Sequence, residues 1–106
     1  MRVITKPEGA TNVVEYEIYN RKTIDFEDGE LSFNVAKRQQ DDNVTIYICR
    51  DYLGGLVMGT AAGDTYVAEL FIPAREYVDE GEGEEATHTP VPFDIDQCVL
   101  TLWEEV

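Results

Sequence analysis

At 106 residues the chain has room for one domain and one hydrophobic core, enough to fold without a metal or a disulfide to staple it. Its hydrophobic share of 43% lies well above the disordered range, and six Tyr, four Phe and one Trp favour an ordered interior. A formal charge of −14 is repelled by nucleic-acid phosphates and by anionic membranes, so neither is an expected partner.

Residues 2–5 read as a short β run, closed by Lys6-Pro7-Glu8-Gly9, where Pro and Gly mark a turn. Residues 13–19 alternate. Val14, Tyr16 and Ile18 face one way and Val13, Glu15, Glu17 and Tyr19 the other, the period of a half-buried strand. Asn20-Arg21-Lys22 turns the chain. Residues 23–27 and 30–35 flank Asp28-Gly29, a pair suited to the positive φ angles of a type I′ hairpin turn. Ile24, Phe26, Leu31, Phe33 and Val35 are expected inward, Asp25 and Glu27 outward.

Residues 36–43 are polar and lack a strand period, as a loop or one helical turn would. Residues 44–50 alternate again, with Val44, Ile46 and Ile48 inward. Residues 51–55 turn, 56–60 resume the sheet, and Ala61-Ala62-Gly63-Asp64 is an expected hairpin turn. In the long segment from Thr65, Tyr66, Ala68, Leu70 and Ile72 share one face, and Val67, Glu69 and Phe71 the other. Pro73 marks an edge or a bulge, because it cannot donate to a ladder. Residues 79–90 are glycine- and glutamate-rich and are expected as a mobile acidic hairpin loop. On the return, Asp94 and Asp96 project from one strand face. The phase then shifts after Gln97, as a β-bulge or bend would make it, leaving Cys98, Leu100 and Leu102 opposite Val99, Thr101 and Trp103.

The expectation is one all-β domain over residues 1–106: an antiparallel sandwich or small barrel of about eight strands, with a long C-terminal hairpin.

Catalytic chemistry finds little to work with. Ser32 is the only serine and no Gly-x-Ser-x-Gly surrounds it. His88, the only histidine, falls in the acidic loop and is poorly placed as a base. Phosphate-binding glycine motifs are absent, since Leu53-Gly54-Gly55-Leu56 lacks a lysine. Cys49 and Cys98 lie within expected strands and read as buried free thiols, without the spacing of a zinc site. No cofactor is expected. Oxygen ligands for calcium are concentrated at Asp79, Glu80, Glu82, Glu84 and Glu85, though not at EF-hand spacing. Asp94 and Asp96 form a second acidic face.

No signal-type apolar core opens the chain, and no stretch nears the about 18 apolar residues a membrane helix needs, so a cytoplasmic location is expected. The charge is uneven. From Asp64 onward there are twelve acids and one base, while the first 63 residues carry a net charge of only −3.

The function expected from these features is contact with a protein partner, including a second copy of itself. Such a domain would be an oligomeric or assembly component, for example a phage-like structural subunit. Tyr66, Phe71 and Trp103 are the interface candidates, being aromatic residues on long strands. The alternative is a small metal- or carbohydrate-binding module using residues 79–85 or the Asp94/Asp96 face.

Overall fold

The structure is a computed structural model that describes residues 1–59 and 65–105; the turn expected over residues 61–64 lies outside the described residues. It is all-β. Among the described residues ten strands form three separate sheets, none of them closed into a barrel. β1 (Arg2–Lys6), β10 (Val99–Trp103), β7 (Thr65–Ile72), β5 (Val44–Arg50) and β6 (Leu56–Met58) make a five-stranded sheet in that spatial order. β2 (Tyr16–Tyr19), β3 (Thr23–Phe26) and β4 (Leu31–Asn34) make a three-stranded meander. β8 (Tyr77–Glu80) and β9 (Thr87–Pro90) pair as a two-stranded arm.

The meander forms where the turn chemistry places it. A turn forms at Asp28-Gly29, with the Glu30 amide donating to the Glu27 carbonyl at 3.4 Å, but Glu27 also takes positive φ and four residues rather than two separate the last pair, Phe26↔Leu31. The β2–β3 turn uses positive φ as well, with Asn20 and Arg21 at φ 52° and 56°. A positive φ is costly for arginine. Here the register Tyr19↔Thr23 leaves only three residues to reverse the chain, which demands it.

One core joins the two larger sheets. Val14, Ile24, Phe26, Phe33 and Val35 come from the meander side. Ile46, Ile48, Ala68, Leu70, Ile72, Leu100 and Leu102 come from the five-stranded sheet. These are the inward phases of each strand, so period two accounts for the core directly. Cys98 is buried in it, and Cys49 is buried beside β7; both are free thiols. Desolvation pushes the Cys98 thiol up to about 11 and raises that of Cys49.

Several expectations change. The sheet is not wholly antiparallel, because β1 runs parallel to β10 from Arg2↔Val99 to Lys6↔Trp103. After Lys6 the chain crosses to the other sheet instead of folding back as a hairpin, so β1 caps the open edge of the last strand. The described residues hold ten strands rather than about eight, because residues 77–90 contribute two. Of the stretch expected as a loop, Asp79 and Glu80 belong to β8 and residues 87–90 to β9.

The long C-terminal hairpin is only partly continuous. β7 and β10 do pair, from Val99↔Phe71 to Leu102↔Ala68, but the chain leaves the sheet at Pro73. The phase shift before β10 comes from a 3₁₀ turn over Ile95–Gln97, not from a bulge. Asp94 caps that turn by accepting the Asp96 amide at 3.0 Å.

The arm leaves the body between Arg75, whose amide donates to the Gln40 carbonyl, and Val91, whose amide donates to that of Glu76. None of residues 77–90 is buried. The molecule measures 58 × 28 × 22 Å, with a radius of gyration of 16.5 Å. A compact chain of this length has about 13 Å.

Candidate functional site

The aromatic residues singled out above lie on one surface, for a reason periodicity alone does not contain. In β5 and β7 the register runs Ile46↔Leu70 and Ile48↔Ala68, then jumps to Cys49↔Tyr66. Val67 is the extra residue of a β-bulge. It is fully buried, and Tyr66 turns outward with 49% of its surface exposed. Tyr66 was expected on the face of Ala68, Leu70 and Ile72; the bulge reverses it.

The outward face of the five-stranded sheet therefore carries Tyr66, Phe71 and Trp103 together, joined by Tyr47. The Tyr47 and Tyr66 rings are 5.5 Å apart and tilted by 53°; Tyr66 and Trp103 are 6.0 Å apart and tilted by 44°. These are favourable tilted geometries for aromatic pairs. Ile4 and Val99, partly buried, extend the apolar strip across β1 and β10. Two smaller side chains on this face are buried: Cys49 is 1% exposed and Thr101 7%. None of the four aromatic residues belongs to the core cluster.

Charge is sparse here and mixed in sign. Glu69 sits beside Tyr47 in register, and its negative charge raises the Tyr47 phenol above its usual range. Lys6 holds its ammonium 6.0 Å from the centre of the Trp103 ring. Arg2 heads the same strand. One side of a strongly acidic molecule is thus apolar with a cationic edge.

The acidic candidates lie elsewhere. Asp79 is paired with His88 across the arm, and His88 stacks on Tyr77 at 4.0 Å. Glu80 ends β8, Glu82 precedes a 3₁₀ turn, and Glu84 and Glu85 are in it. Among the described residues no three Asp, Glu, His or Cys side chains form a group that could hold a metal ion. Asp94 and Asp96 do not share a strand face: Asp94 caps the 3₁₀ turn and Asp96 lies in it, and both are engaged within the chain. The Arg21 guanidinium reaches Asp96 at 2.8 Å and Asp94 at 3.4 Å, and the terminal ammonium of Met1 reaches Asp96 at 3.3 Å. Arg21, the leading cause, holds the Asp96 carboxyl below its usual range.

Two features had weak signals in the sequence. Tyr47 falls on the outward phase between Ile46 and Ile48 and belongs with the other aromatics. Arg50 extends the inward phase of β5 beyond Ile48, which places a guanidinium at the end of the core. It pairs there with Glu27 of the meander and Glu105 after β10, and donates to the Gly54 carbonyl at 2.8 Å. The two carboxylates raise its pKa further, and hydrogen bonding from Arg50 holds the Glu27 carboxyl low.

No protein-family model matches the chain, and no curated protein or solved structure shows significant similarity to it. Among the described residues no helix is long and apolar enough to cross a membrane.

Proposed function

We propose that this protein works through protein–protein contact, as a self-associating component of an assembly, with the outward face of the five-stranded sheet as its contact surface. The observation that carries this reading is the run of Tyr47, Tyr66 and Trp103, with Phe71 on the same face and Tyr66 about half exposed. Contiguous aromatic surface of this kind is what binding interfaces use for anchors. The larger sheets then read as an open two-layer sandwich with one side left for a partner. The extended arm supports the same reading, because a two-stranded hairpin that buries none of its residues is marginal by itself and gains from a neighbour.

Light scattering on a sizing column tests this. At moderate salt the expected species is heavier than the 12.0 kDa chain. It should weaken at low salt, where two copies of charge −14 repel over a longer range. Trp103→Ala should weaken self-association by about tenfold or more, the loss typical of a central aromatic anchor. A monomer at every concentration and salt would overturn the proposal.

A further inference from the structure

The three-stranded sheet turns its own outward face to a site of different chemistry. The meander points Ile18, Ile24 and Phe33 inward, which leaves Glu17, Asp25 and Ser32 abreast on the other side. Asp25, on the middle strand, is only 8% exposed. Its Oδ1 is closed off from solvent and has no hydrogen-bond partner. A buried carboxylate oxygen without a donor is a costly arrangement, tolerated where something else supplies the donor.

Asp25 lines a cavity of about 570 Å³, together with Glu15, Glu17, Glu27 and Asp28 and with an apolar wall at Leu102. Glu27 is held by Arg50, and Glu17 accepts the Tyr19 hydroxyl. Among the described residues no cation of the chain pairs with Glu15, Glu17, Asp25 or Asp28. Charges of one sign gathered around a recess attract a counter-charge.

The class of ligand follows from the spacing. No three of these carboxylates meet closely enough to coordinate one metal ion. They surround a space of small-molecule size instead. A group that combines N–H donors with an alkyl stem satisfies both the carboxylates and the apolar wall. We propose that this cavity binds an organic cation, an alkylammonium or guanidinium group, with the Asp25 carboxylate as the acceptor of one of its N–H bonds. The site is separate from the aromatic face and stands whether or not the chain self-associates.

Calorimetric titration of the whole chain with capped arginine amide and with spermidine, each against sodium chloride of equal ionic strength, tests the proposal. Saturable binding beyond the salt control is expected for at least one of them. Asp25→Asn should weaken it tenfold or more, as loss of a charge-assisted hydrogen bond does. Asp42→Asn, on a distant loop, should leave it unchanged. Binding of capped arginine points to a side chain of a partner protein; binding of spermidine alone points to a free polyamine. Both outcomes support the site.

Heat no greater than the salt control overturns the proposal, as does binding that survives Asp25→Asn or is matched by calcium chloride. If circular dichroism shows that Asp25→Asn is unfolded, Glu17→Gln, at the exposed rim, carries the same test with a several-fold loss expected.

Discussion

On the five-stranded sheet the outward positions hold Tyr47, Tyr66, Phe71 and Trp103. On the meander the equivalent positions hold Glu17, Asp25 and Ser32. Both faces obey the same alternation and back onto the same core. Alternation therefore decides which side chains leave the core, but not what environment they enter. Neighbours set that. On the aromatic face Cys49 and Thr101 are buried, while on the meander Asp25 is buried and its Oδ1 is left without a donor.

The largest expected effect comes from removing what the two faces share. Phe26 is fully buried directly beside Asp25 in sequence, on the meander side of the core. Phe26→Ala should cost about 3–5 kcal/mol in denaturant unfolding, through lost transfer energy plus the cavity left behind. A loss below about 1 kcal/mol would mean that the meander contributes little to a common core.

The next effect concerns the charge that ties the sheets together. Arg50→Met should cost about 1–3 kcal/mol, because Glu27 and Glu105 are then left partly buried without their cation. Its pH dependence has a definite sign. The Glu27 carboxyl is held below its ordinary 4.5 by Arg50, so its contribution is fully present above pH 4.5 and is lost as pH falls through the lower folded value. The native chain should therefore lose stability more steeply than the variant on acidification below pH 4.5. Parallel acid limbs would show that Arg50 does not stabilise Glu27.

The smallest effect separates the faces by their phenols. The hydrogen bond with Glu17 is the main cause that pushes Tyr19 up to about 12. That contribution is present below pH 10 and is lost as pH rises through about 12. In an alkaline absorbance titration Glu17→Gln should bring one phenol back toward 10. An unchanged titration would remove Glu17 as the cause.

Much of the fold was legible because the local signals agreed with one another. The Asp28-Gly29 turn, the inward phases of β3, β4 and β5, and the phase of β10 all follow from turn chemistry and period two. What escaped depends on partners distant in sequence. A single inserted residue, Val67, reversed Tyr66, and only the register against Cys49 reveals it. The parallel pairing of β1 with β10 has no local signature. The strands of the arm were hidden because they flank a glycine- and glutamate-rich tip, end in Asp79-Glu80 and Pro90, which favour strands little, and bury nothing. Asp25 read as an ordinary solvent-facing acid because alternation says nothing of how closely Glu17 and Ser32 flank it.

The parallel pairing also bears on how the chain comes to be folded. β1 and β10 lie side by side in the sheet although Lys6 and Val99 are far apart in sequence. Until β10 has been synthesised, β1 has no partner among the described strands, and its backbone donors and acceptors remain open to other nascent chains. Completion of the sheet requires closing the loop between Lys6 and Val99, an ordering step that slows folding where local contacts do not assist it. Expression yield should accordingly respond to temperature and crowding at the ribosome more than the stability of the finished protein would suggest.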